Sequence, residues 1–218
     1  MPNVSQRASV IGELNARYGT QLSDQFEVVK WPYYDSQAYP MAGSLRLSFF
    51  QAITNNFDQS NVEQAAAFPQ PKKFFLKAIG AFLVGAEFPS STAATAGTTL
   101  SGRVNDNHEV MTSGHFSLTI GNKEYLRVAP LGFLPSPVIF SGYAALHFAQ
   151  AMAADATTMI ANQQNGAAHR DTFLLDPPLL IDSQINFLAT TEWAALVPIT
   201  AATRLFIYFL GQMIRPAQ

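Results

Sequence analysis

Hydrophobic and polar positions alternate with period two in several short windows of the chain. Leu45, Leu47 and Phe49 alternate with Ser44, Arg46 and Ser48, the pattern of a strand with one face on a core. From Phe74 to Val84 both sides are apolar, with Phe74, Leu76 and Ala78 opposite Phe75, Lys77 and Ile79. This run predicts a strand bent or bulged at Gly80. His108 to Met111, His115 to Ile120 and Glu124 to Val128 read as three short strands, and Gly121-Asn122 between the last two is a tight-turn signal. Thr172 to Leu175, Leu179 to Ile181, Ile185 to Trp193 and Arg204 to Ile214 continue the series. Pro177-Pro178 either separates the first two of these or puts them on a sheet edge. In Arg204 to Ile214, Leu205, Ile207 and Phe209 lie on one side and Phe206, Tyr208 and Leu210 on the other. A strand with two apolar faces is expected at the centre of a sheet, covered on both sides.

Helical spacing is found in two places. Val10, Ile11, Leu14 and Tyr18 share a face, with Ser9 as a cap and Gly19 as a stop, which predicts a short N-terminal helix. Ser141 to Asn165 predicts one long inserted helix. It is rich in Ala and Met, with Leu146, Ala149, Ala153, Ala156 and Ile160 along one face and Asn165-Gly166 as a stop. Residues 1–43 read as an N-terminal arm, because Pro32 and Pro40 interrupt the β-favouring run Phe26 to Lys30 and its aromatic neighbours. Thr54 to Gln70 and Pro89 to Gly102 read as loops. Neither a repeat nor a linker divides the chain, so residues 1–218 are expected to form one domain. The fold class expected is all-β, an antiparallel sandwich of about eight strands, and a jelly roll suits the strand count and the long connections.

Charge sharpens this reading. Lys, Arg, Asp and Glu make up 13% of the 218 residues, about half the usual ~25%. The net charge of -2 offers no excess of cations for phosphate, so no specific nucleic-acid binding is expected. Cysteine is absent, which removes disulfides, thiolate metal sites and Cys nucleophiles together. The N-terminus MPNVSQRASV has no secretory signal pattern, so synthesis and first folding in the cytosol are expected. No apolar run reaches the ~20 residues of a spanning helix. The stretch Val128 to Ala154 is uncharged but is broken by Pro130, Pro135 and Pro137. Its Leu131, Phe133, Leu134, Val138, Ile139 and Phe140 are too many apolar groups for a solvated loop. They are expected at a subunit or membrane interface.

Catalytic signatures are weak. His108 and His115 have Asp106 and Glu109 nearby but no metal-ligand spacing, and His147 reads as a core or interface histidine. Ser113, His115 and Asp171 could be combined into a triad, but no GxSxG elbow supports one, and no phosphate loop occurs. Asp171, Asp176, Asp182 and Glu192 sit near strand ends, where turn chemistry is their ordinary use. Lys72, Lys73 and Lys77 form the basic cluster, readable as gatekeepers of an apolar strand. The aromatic cluster Trp31, Tyr33 and Tyr34 could stack on a sugar, with burial as the competing use. No enzymatic activity, cofactor or metal is expected.

A neutral surface rich in Ala, Ser, Thr, Asn and Gln suits repeated subunit contacts. The segments FSLTIGNKEYLRVAPLGFLP (Phe116 to Pro135), LLDPPLLIDSQINFLATTEW (Leu174 to Trp193) and RLFIYFLGQMIRPAQ (Arg204 to Gln218) resemble jelly-roll capsid proteins of icosahedral bacteriophages, including those that enclose a membrane. The resemblance is one of overall texture across the second half of the chain. It implies a self-assembling virion subunit without catalysis, whose partners are copies of itself, other virion proteins and, in the membrane-containing phages, internal lipid. At this length it implies one jelly roll, which leaves main-shell, vertex and spike roles open. The alternative is a carbohydrate-binding β-sandwich of a spike or fibre.

Overall fold

Long antiparallel ladders dominate the molecule. The computed structural model describes residues 12, 16, 26–85, 106–134, 141–143, 146–147, 158–159, 162–164, 173–199 and 203–216. In chain order its strands are β1 (Phe26–Tyr39), β2 (Arg46–Phe49), β3 (Lys73–Gly85), β4 (Gly114–Ile120), β5 (Lys123–Val128) and β6 (Ser141–Tyr143). They continue with β7 (Leu146–His147), β8 (Thr158–Met159), β9 (Asn162–Gln164), β10 (Leu174–Ile181), β11 (Phe187–Trp193) and β12 (Thr203–Pro216). Two four-stranded antiparallel sheets result, in the orders β1-β12-β3-β10 and β2-β11-β4-β5. The all-β, antiparallel, sandwich-like architecture expected from the alternation is therefore present.

The core lies between the sheets. Tyr33, Phe74, Leu76, Ile79, Leu205, Ile207 and Phe209 enter it from the first sheet, and Phe49, Phe116, Leu118, Phe187 and Trp193 from the second. Its centre is aromatic. The Tyr33 ring lies 5.1 Å from Phe50 and 4.7 Å from Phe68, and Phe209 lies 4.6 Å from Phe50. Fully buried rings of this size are the largest individual contributors to burial, and their tilted and stacked contacts add to it.

As the two apolar faces predicted, β12 runs between β1 and β3. On its outer side Phe206 and Ile214 are also buried. An aromatic row crosses that face, with Tyr34–Tyr208 at 5.6 Å, Tyr208–Phe82 at 5.3 Å and Phe82–Phe206 at 5.0 Å. The outer side of the second sheet is instead polar, presenting Arg46, Ser48, His115, Ser117 and Glu192.

The structure differs from several sequence expectations. The irregularity in β3 falls at Lys77, not Gly80. Leu210 pairs with Ala78 and Gly211 with Leu76, leaving Lys77 as the extra residue, whereas Gly80 pairs regularly with Tyr208. One added residue inverts the alternation, so Phe74 and Leu76 face the core before the bulge and Ile79, Ala81 and Leu83 after it. Residues 26–39 are no arm, because β1 pairs with β12 along its whole length. Pro32 is accommodated because β1 is an edge strand and its missing N–H breaks no ladder bond. Pro177-Pro178 likewise sit in β10, at the other edge of that sheet.

Residues 106–113 are helical rather than a strand at His108 to Met111. An apolar run this short does not discriminate by period. Here Thr112 donates its hydroxyl to the His108 carbonyl at 2.6 Å, and Ser113 donates to that of Glu109, both in the helical i−4 direction. The long inserted helix over Ser141 to Asn165 is also corrected. Its described residues form short antiparallel pairs, β6 with β9 and β7 with β8. Alanine-rich propensity is a weak preference that pairing overrides. At the N-terminus the two described residues, Gly12 and Ala16, are helical, in line with the short helix expected there. Pro89 to Gly102 lies outside the described residues. The tight turn is as expected: Ile120 pairs with Lys123 across Gly121-Asn122, and Gly121 takes φ 60°, which suits glycine as the first turn residue.

Candidate functional site at one end of the sandwich

The β1–β2 connection, the helix over 106–113, the segment after β5 and the β11–β12 connection meet at one end of the two sheets. Backbone bonds tie them together. The Trp193 N–H donates to the Leu45 carbonyl at 3.0 Å and the Ile199 N–H to that of Met41 at 2.9 Å. Side chains add to these. The Tyr39 hydroxyl donates to the Val197 carbonyl at 2.9 Å, and the Trp193 indole N–H to that of Val110, also at 2.9 Å. Two close approaches require glycine. A Cβ on Gly43, whose φ is +86°, would stand 2.6 Å from the Val197 nitrogen, and one on Gly114 would stand 2.6 Å from the Trp193 indole nitrogen. The end is thus rigidly built although it consists largely of connections.

It holds a groove of about 600 Å³ bordered by Leu45, His115, Ala129, Pro130, Glu192 and Trp193. Glu192 joins its neighbours on one wall, with Arg46 at 3.3 Å and His115 at 3.4 Å. Both pairs are well solvated, so each contributes at most about 1 kcal/mol. Leu45 on the groove and Met41, Phe133 and Leu196 in the same connections are each more than half exposed. Leu45 therefore lies outside the strand and outside the core, although its alternation with Leu47 and Phe49 placed it on the core face.

The expected interface residues are divided by the fold. Leu131 and Leu134, which flank Phe133 in a 3₁₀ turn (Leu131–Phe133), are buried in the chain's own core, and Phe133 points outward at 60% exposure. Val138, Ile139 and Phe140 lie outside the described residues. The aromatic cluster is also split. Tyr33 is buried in the central aromatic core, Tyr34 is half-buried against Tyr208 on the opposite face, and Trp31 is exposed. These three rings form no common stacking platform.

Chemistry at the site is limited. Ser113 commits its hydroxyl proton to the Glu109 carbonyl, and His115 faces Glu192; Asp171 lies outside the described residues. Among the described residues, no group of three His, Cys, Asp or Glu side chains could hold a metal ion. Asp182 is held by Lys73 at 3.1 Å and accepts the Ser183 N–H at 2.8 Å, apart from Glu192. The basic cluster is dispersed as well, with Lys72 on Glu63, Lys73 on Asp182 and Lys77 over the Phe75 ring at 5.4 Å. The sequence reading missed Met41, Leu45 and Leu196 as surface residues. Their position beside two connections, after Pro40 and before Pro198, was the signal available. Among the described residues no helix is long and apolar enough to cross a membrane. No family model matches the chain, nor does any curated protein or solved structure.

Proposed function

We propose that the chain is a jelly-roll structural subunit that self-assembles into a virion shell and carries out no catalysis. The nested pairing of its eight sandwich strands supports this reading most strongly. In chain order the first pairs with the last (β1 with β12), the second with the seventh (β2 with β11), the third with the sixth (β3 with β10) and the fourth with the fifth (β4 with β5). A long antiparallel ribbon wrapped around a core makes this pairing, the arrangement of capsid and lectin jelly rolls. Of the two, the capsid role is favoured by the scarcity of charge, by the apolar end carrying Met41, Leu45, Phe133 and Leu196, and by the separation of Trp31, Tyr33 and Tyr34 onto different surroundings. Light scattering on size-exclusion fractions, with negative-stain microscopy of the same fractions, tests the proposal. Rings, capsomers or shells are expected at micromolar protein. A 24 kDa species that stays monodisperse at high concentration would refute it.

A further inference from the structure

We propose that the groove at the end of the sandwich binds a primary alkylammonium group, either on a free amine or at the tip of a lysine side chain. The proposal does not depend on the self-assembly reading. Every residue that borders the groove is among the described ones. Trp193 pairs with Gly114 across β11 and β4 and donates its backbone N–H to Leu45 on the other side, so the groove crosses the end of the second sheet. Leu45, Ala129 and Pro130 give it apolar walls, and its volume of about 600 Å³ is in the range of small-ligand sites.

The polar groups at the groove are arranged to accept hydrogen bonds. Thr112 and Ser113 border it, and each donates its hydroxyl proton back to its own helix, Thr112 to the His108 carbonyl at 2.6 Å and Ser113 to that of Glu109. What these oxygens can still offer a ligand is lone pairs. The Trp193 indole N–H is likewise taken, by the Val110 carbonyl at 2.9 Å. Glu192 adds a carboxylate, and no lysine or arginine borders the groove. The helix over 106–113 ends at Thr112 and Ser113, which brings the partial negative charge of its carboxyl end to the same place. An anion would meet mostly acceptors there. His115, the other titratable group at the groove, turns its Nε2 to Glu192 at 3.4 Å.

Glu192 has room for a third partner. Arg46 meets it from β2 through Nε at 3.3 Å, outside the groove lining. A carboxylate has about four lone-pair sites, and its contacts with Arg46 and His115 are solvated and weak, so a ligand cation can share it. A sugar is less well suited. Stacking needs an open ring face, and Trp193 is only 4% exposed. An ammonium needs acceptors for its three N–H groups and apolar contact for its stem, and the groove supplies both.

Three probes with one chain length and different head groups test the proposal: pentylamine, pentanol and pentanoate. Trp31→Phe leaves Trp193 as the sole tryptophan, so its emission reports on the groove, and ligand-observed NMR follows the same titrations with the wild-type chain. At pH 7 pentylamine is expected to saturate on the order of 1–10 mM, as suits so small a ligand, and pentanol and pentanoate to bind about tenfold more weakly. Glu192→Gln is expected to weaken pentylamine about fivefold, the scale of a solvated ion pair, without loss of folded protein by circular dichroism. Asp182→Asn, which removes a carboxylate held by Lys73 elsewhere, is expected to change nothing in the titration. Nα-acetyl-lysine methylamide distinguishes the sources: affinity equal to that of pentylamine assigns the groove to a lysine of a polypeptide, and weaker binding assigns it to a free amine. Pentanol or pentanoate binding as tightly as pentylamine, unaltered affinity in Glu192→Gln, or no saturable signal by either method would overturn the proposal and leave self-assembly standing. If Glu192→Gln does not fold, the comparison of head groups in the wild-type chain decides.

Discussion

Thr191 and Thr190 are neighbours on β11 whose hydroxyls should contribute to stability with opposite signs. Both residues are buried, Thr191 completely and Thr190 to 2% exposure. Thr191 shares the core-facing side of the strand with Ala189 and Trp193, and among the described residues its Oγ1 has no hydrogen-bond partner. Thr190 faces the other side, where its hydroxyl and that of Ser117 lie 2.7 Å apart in a hydrogen bond. An unpaired buried hydroxyl costs about 1–3 kcal/mol in proteins. Thr191→Val removes that cost, keeps the β-branch that suits a strand and adds apolar surface to the core. It should stabilise the fold by about 1–2 kcal/mol. Thr190→Val breaks a satisfied pair and should destabilise by about 0.5–1.5 kcal/mol. For a chain of this size, 1 kcal/mol corresponds to roughly 2–4 °C in Tm. Urea unfolding at one fixed protein concentration, read as a shift of midpoint at constant slope, measures both. A loss of stability in Thr191→Val as large as that in Thr190→Val would mean that the Thr191 hydroxyl has a partner, and would refute the reasoning.

Gly211→Ala should prevent soluble folding or cost at least about 3 kcal/mol, because a Cβ there would lie 2.1 Å from the Phe75 carbonyl oxygen, beside the β3 bulge; soluble yield and melting temperature report it. Asp35→Ala should cost about 2–3 kcal/mol, since the buried Asp35 carboxylate accepts the Phe50 N–H at 2.6 Å where the chain leaves β2 with φ 63° at Phe50, and that N–H would be orphaned. Burial, with Tyr34 as a second and smaller cause, pushes the Tyr208 hydroxyl up to about 12 from its ordinary 10. The folded state therefore holds this proton more tightly than the unfolded chain, so its contribution is complete below about pH 10 and is lost as the pH rises from about 10 to about 12. Alkaline denaturation followed by tyrosinate absorbance should show that fall, and Tyr208→Phe should flatten it; an identical profile in the variant would contradict the assignment.

Period-two alternation and turn residues were enough to read an antiparallel β-sandwich, because a half-buried strand writes its two environments directly into alternate residues. Leu47 and Phe49, the row Phe116, Leu118 and Ile120, and the two faces of β12 were legible for that reason. The turn at Gly121-Asn122 was legible because it is local. Properties set by distant partners were not. The bulge at Lys77, and with it the switch of core-facing residues from Phe74 and Leu76 to Ile79 and Leu83, depends on how β3 meets β12 at Gly211. The edge position that lets β1 run through Pro32 depends on there being, among the described residues, no strand on its far side. The helical spacing of Ser141 to Asn165 reported an intrinsic preference, whereas its described residues are drawn into antiparallel pairs, Ser141 with Gln164 among them. The division of Leu131, Phe133 and Leu134 between core and surface was set by a single 3₁₀ turn packed on the helix over 106–113 and on β4. Local sequence encodes which side of a strand is apolar; only long-range pairing decides which neighbour that side meets.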